Sequence, residues 1–141
     1  MGTSYLEVYS RFTDEITDYY LFDLSDEDAC DYCHRLLKSA VATAQEFINE
    51  LTMDDENYCF TFELESIEIE YLACAMTVKW VSPQLQNTIL TKQYLGTKDE
   101  KFYSQANQIE QLRSLRDDNV ARTKKIRRDY NYSHNDYFND N

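Results

Sequence analysis

Glycine and proline are nearly missing from this chain, with two Gly and one Pro in 141 residues. A β-rich fold needs such residues at its turns, so their scarcity leans the chain toward helices. Histidine is almost as rare: His34 sits beside a cysteine pair and His134 lies near the end. With no second histidine in the body of the chain, a Ser–His or Cys–His couple lacks a member. A phosphate-cradling loop is missing too, because Gly96-Thr97-Lys98 has no earlier, spaced glycine. No apolar run approaches the roughly 20 residues that cross a bilayer. Met1-Gly2-Thr3-Ser4 leads into charged, amphipathic sequence without a basic or apolar leader, and Leu6 stands where a myristoylation signal carries Ser or Thr. These features predict a protein made and kept in cytosol, with Cys30, Cys33, Cys59 and Cys74 reduced. No enzymatic activity, cofactor or membrane partner is expected.

What is present suits one domain with a real core: 43% of residues are apolar and 14% aromatic, with twelve Tyr, seven Phe and one Trp. The net charge of −12 is unevenly spread. Residues 1–70 carry eighteen Asp/Glu against Arg11, Arg35 and Lys38, giving −15, whereas residues 71–141 carry eight acids and eleven Lys/Arg, giving +3. Unlike potentials on two parts of one chain steer copies into head-to-tail contact, although an acid excess also serves plain solubility.

Periodicity predicts the helices. Tyr5, Val8, Tyr9, Phe12 and Ile16 share one face, with Ser4 and Glu7 at capping-box spacing. Leu24-Ser25-Asp26-Glu27-Asp28 is a strong start signal, and Ala29, Cys33, Leu36, Leu37, Ala40, Val41, Ala44, Phe47, Ile48 and Leu51 extend that helix over 26–51. An acidic loop at 52–57 follows, then an extended or loop segment at 58–64 with no obvious partner. Ser66 opens a third helix that ends near Ser82-Pro83, and Pro83 starts a short helix over 84–90. A turn at 94–99 precedes a last helix reaching Arg128. From Leu115 onward its apolar points thin to Val120, Ala121 and Ile126, so that half is expected to lack a wide face to bury in its own domain. The polar tail 129–141 is expected to be disordered when alone. The fold class is therefore mainly α: a small helical bundle with a long C-terminal helix and an extended C-terminal tail. Residues 1–128 form the domain and 129–141 the arm.

Cys30-Asp31-Tyr32-Cys33-His34 matches the C-x-x-C-H haem-attachment pattern, but an export signal and a distal ligand are wanting. Zinc usually asks for a second close pair, and Cys59 and Cys74 stand alone. The plain reading is that Cys33 faces the core. Arg122-Thr123-Lys124-Lys125-Ile126-Arg127-Arg128 is a basic stretch flanked by Asp117, Asp118 and Asp129. It is too short for a base-reading footprint, and suits an acidic partner surface or passing DNA better. Tyr130, Tyr132, Tyr137 and Phe138 punctuate the polar end as aromatics do in an arm that orders on a neighbour.

The order of these features is informative. The Leu24–Asp28 start leads to Glu68-Ile69-Glu70-Tyr71-Leu72-Ala73, then Ser82-Pro83-Gln84-Leu85. Lys92-Gln93-Tyr94-Leu95-Gly96-Thr97-Lys98-Asp99 comes next, with Tyr103-Ser104-Gln105-Ala106-Asn107, and a charged helix ends at Tyr130-Asn131-Tyr132. This order resembles head–tail connector (adaptor) proteins from the neck of tailed bacteriophages and prophages, over nearly the whole chain. The resemblance implies a connector-like helical subunit that assembles with its own copies into a ring, a dodecamer, below the portal protein. Such a ring extends the DNA channel, touches passing DNA non-specifically and docks the next neck or tail component. It also implies a virion protein assembled in host cytoplasm. The expected neighbour or portal contacts are Arg113, Arg116, Arg122, Lys124, Lys125, Arg127, Arg128, Tyr130, Tyr132, Tyr137 and Phe138. An acidic, DNA-mimicking regulator is the rival expectation, resting on the −15 of the first half.

Overall fold

A computed structural model of the chain describes residues 2–16, 26–48, 51–95 and 99–134, with side chains described for all of these except 26, 90–105 and 134. Helix α1 (Tyr5–Ile16) forms as its periodicity dictates, burying Tyr5, Val8, Tyr9, Phe12 and Ile16. Its start is capped by Ser4 Oγ, which accepts the Leu6 N–H at 3.2 Å.

Helix α2 (Asp26–Ala44) buries Cys33, Leu37, Ala40, Val41 and Ala44, but it stops seven residues before the expected end at Leu51. Past Ala44 the hydrogen bonds tighten, with Glu46 N–H donating to Thr43 O and Phe47 N–H to Ala44 O. Gln45 Nε2 then bridges to Leu51 O at 3.2 Å. Ile48 and Leu51 still reach the core from this turn, so their spacing imitated a helix.

The early stop frees strand β1 (Met53–Asp54) to pair antiparallel with β2 (Cys59–Phe60), Met53 opposite Phe60 and Asp54 opposite Cys59. Segment 58–64, expected to be partnerless, is thus paired on one side by β1. On the other it meets the N-terminal residues: Phe60 N–H donates to Thr3 O at 2.8 Å, and Thr3 N–H to Phe62 O at 3.1 Å. The approach leaves no room beside Gly2, where a Cβ would stand 2.0 Å from Phe60 O. At the hairpin turn, Asn57 Nδ2 donates to Asp54 Oδ2 at 2.7 Å, and Tyr58 adopts a left-handed φ of 57°. That conformation is costly for a bulky residue, and ring contacts with Tyr5 (5.0 Å) and His34 (6.0 Å) hold it there.

Helix α3 (Ser66–Leu95) is the axis of the molecule, with α1, α2 and the last helix all packed against it. Every residue from 71 to 77 is buried, a pattern that needs neighbours on all sides. Its first turn is closed by Glu68, whose Oε1 accepts the Glu65 N–H at 2.7 Å. The expected break at Ser82-Pro83 does not occur. Proline in a helix interior costs about 3 kcal/mol, mostly through a lost hydrogen bond and a clash. Here Pro83 and Lys79, the residue four before it whose carbonyl loses a donor, are both exposed. Trp80, Val81, Leu85 and Thr88 are buried along the other side, and that continuous burial outweighs the local cost.

Helix α4 (Asp99–His134) runs antiparallel to α3, as contacts from Glu68 to Tyr130 and from Glu70 to Arg122 require. It does not end at Arg128, so residues 129–134 are helical rather than extended. The turn at 96–98 and the tail 135–141 lie outside the described residues.

Candidate interaction face on the last helix

The inward side of α4 repeats at alternating steps of three and four residues: Ile109, Leu112, Arg116, Asn119, Thr123, Ile126 and Tyr130, each buried or half-buried. This is a two-helix seam in which polar residues hold the middle positions. Asn119 is only 1% exposed and satisfies its amide nitrogen on its own helix, donating to Leu115 O at 2.9 Å. Its Oδ1 is buried with no hydrogen-bond partner among the described residues. Thr123 Oγ1 likewise donates to Val120 O at 2.7 Å. The second half of α4 therefore buries a face within its own subunit, against expectation. α4 packs on α3, which is buried at every residue from 71 to 77, and that partner lets polar residues occupy the middle of the seam.

Three of the expected outward contacts find partners within the subunit. Arg122 meets Glu15 at 3.1 Å and Glu70 at 3.3 Å, and Arg11 also pairs with Glu70, so four charges tie α1, α3 and α4 together. The hydrogen bond to Glu15 is the main reason the Arg122 guanidinium is pushed above its ordinary pKa. Arg127 pairs with Glu46 at 2.9 Å and lies over the Phe47 ring at 5.4 Å. Tyr130 is buried, edge-on to Phe47 at 5.4 Å, and its hydroxyl donates to Glu68 Oε2 at 3.0 Å. Burial first, then that hydrogen bond, pushes its phenol up to about 12.

The other expected residues divide differently. Arg113, Lys124, Lys125, Arg128 and Tyr132 are exposed, while Arg116 is half-buried and bonds its neighbour Asp117 at 3.2 Å. Arg128 reaches Asp129, at 3.9 Å. Arg113, Lys124 and Lys125 enter no ion pair among the described residues. Tyr137 and Phe138 lie outside the described residues. Lys125, Arg128 and Tyr132, spaced by three and four residues, form one exposed basic and aromatic stripe.

A second polar cluster joins α1, α2 and the hairpin turn. Asp55 accepts from the Tyr5 hydroxyl at 2.7 Å, meets His34 Nε2 at 3.1 Å and lies 3.7 Å from Lys38 Nζ. Tyr5 and then His34 hold the Asp55 carboxyl below its ordinary pKa. His34 is thus committed to a carboxylate and Cys33 to the core, where burial pushes its thiol up to about 11. Among the described residues, no three His, Cys, Asp or Glu side chains are grouped to hold a metal ion. The partners Glu15, Glu46, Phe47, Glu68 and Glu70 were missed in the sequence because they lie 52 to 107 positions from the α4 residues they hold, and no local spacing marks them. In comparisons with known proteins, the chain matches no family model, no curated protein and no solved structure.

Proposed function

We propose that this chain is a non-catalytic structural subunit of a tailed-phage neck. In this reading it is a head–tail connector whose copies close into a ring below the portal protein and dock the next neck or tail component. One observation carries the reading. In a chain of net charge −12, where carboxylates outnumber cations 26 to 14, Arg113, Lys124, Lys125 and Arg128 meet no carboxylate from another element among the described residues. Cations held apart from so large an acid excess are available to a neighbour. Two distinct faces of opposite sign on one subunit allow a heterologous contact, and rotation closes such contacts into rings. The residue order described above supports the phage-neck assignment. The contact set is revised to Arg113, Arg116, Lys124, Lys125, Arg128 and Tyr132, because Arg122, Arg127 and Tyr130 serve their own subunit.

The test has two parts. Antibody raised against the chain should label the neck of intact particles in electron micrographs. The purified chain, alone or with portal protein, should form a ring; twelve copies of 16.8 kDa come to about 200 kDa. The alternative, an acidic DNA mimic, is favoured by exposed carboxylates at Glu7, Asp14, Glu27, Asp31, Glu56 and Glu63. A chain that stays monomeric, displaces duplex DNA from a DNA-binding protein and labels no particle replaces the connector reading with that one.

A further inference from the structure

Two large apolar side chains stand exposed among the described residues, Leu6 on α1 at 58% and Tyr132 on α4 at 71%. Leu6 lies among an excess of carboxylates and Tyr132 among an excess of cations. Beside Leu6 run Glu7 and Asp14, seven residues apart and so on one stripe of α1, both exposed and in no ion pair among the described residues. Before Tyr132 run Lys125 and Arg128, with Lys124 alongside. Arg11 on α1 is engaged by Glu70, and Asp129 lies 3.9 Å from Arg128, so Lys124 and Lys125 supply the net positive charge beside Tyr132. A tyrosine with cations around it and a leucine with carboxylates around it are complementary in both polarity and charge.

We infer that the Lys125–Arg128–Tyr132 stripe of one copy docks on the Leu6–Glu7–Asp14 face of α1 of a second copy. The inference rests on the ring reading and specifies its interface. Tyr132 and Leu6 form the apolar centre, and the charged residues form the rim that sets register and orientation. The contact proposed is heterologous, stripe to face, so that every copy keeps one face free for the next; reciprocal use of both faces would instead close a dimer. The ion pairs among Arg11, Glu15, Glu70 and Arg122 are internal and take no part.

Complementary charge reversal tests this on the full chain by sedimentation across a concentration series. Lys125→Glu/Arg128→Glu and Glu7→Lys/Asp14→Lys should each assemble at least about tenfold less readily than wild type, through like-charge repulsion. An equimolar mixture of the two should recover assembly, because each mutated face then meets its opposite in the other protein. Leu6→Ser, a milder change at an exposed site, should weaken assembly without altering the circular dichroism spectrum. Wild-type rings that survive both reversals overturn this interface and leave the ring reading standing. Folded reversal variants whose mixture stays dissociated overturn it as well. Neck labelling of particles decides the ring reading independently.

Discussion

Tyr130 reports directly on whether the end of α4 belongs to its own subunit. Its ring is 9% exposed against Phe47, and its hydroxyl donates to a carboxylate, Glu68, that is itself 5% exposed. Hydrogen bonds to charged groups contribute about 1.5–3 kcal/mol. Glu68 keeps its second partner, the Glu65 N–H, so Tyr130→Phe should cost near the lower limit, about 1.5 kcal/mol. Tyr130→Ala removes the ring as well. Aromatic truncation in a core costs about 3–5 kcal/mol, but this site lies within one turn of the helix end and can collapse or admit water, so about 2–3 kcal/mol is expected. Urea unfolding followed by circular dichroism should show lower midpoints with an unchanged slope, the mark of lost stability without a change in compactness. Glu68→Gln in a double-mutant cycle should reveal a coupling of about 0.5–3 kcal/mol with the Tyr130 hydroxyl. A Tyr130→Ala protein within about 0.5 kcal/mol of wild type would mean that the helix end is not docked. The inward assignment of Arg127 and Tyr130 would then be wrong.

Pro83→Ala should stabilise the chain by about 1–3 kcal/mol, since Lys79 O regains a donor in a helix that is already continuous; an unchanged or lower melting temperature refutes this. Gly2→Ala should cost about 1–3 kcal/mol by pushing the N-terminal segment off β2, and should speed amide exchange at Phe60, whose N–H bonds Thr3 O. Alkaline titration should unfold the protein early. Burial raises Cys33 and Cys74 from 9.0 to about 11 and, with its hydrogen bond to Glu68, Tyr130 from 10.0 to about 12; Tyr5 and Tyr9 are also raised. The folded state holds these protons more tightly than the unfolded chain, so their stabilisation is complete below about pH 9 and is lost as the pH climbs through about 9–12. Unfolding midpoints that stay flat across that range count against the burial of these groups.

The two faces of α4 have different duties. Inward cations spend their charge on Glu15, Glu46 and Glu70, where each partly exposed pair adds about 0–1 kcal/mol and mainly fixes how α4 lies on α1, α3 and the turn after α2. Among the described residues the outward cations have no such partner on another element, and they carry the assembly reading. The division cannot be read from charge along the chain, because Arg122 and Arg127 alternate with Lys124, Lys125 and Arg128 in one basic run.

Local sequence was sufficient wherever one element decides its own form. The face of α1, the start of α3 and the inward side of α2 all follow from apolar spacing and capping residues, which act over a few ångströms. It failed where distant segments supplied the missing partner. Residues 58–64 looked solitary because β1 and residues 2–5 are brought to them only by the fold. Ser82-Pro83 looked like a break because the burial that carries α3 through it comes from other helices. The end of α4 looked unsatisfied because the apolar half of its seam belongs to α3, and its charges find carboxylates far along the chain. A helix needs only its own hydrogen bonds and spacing to be foreseen. Which of its faces is left for a neighbour depends on burial shared between elements, and only the tertiary structure fixes that.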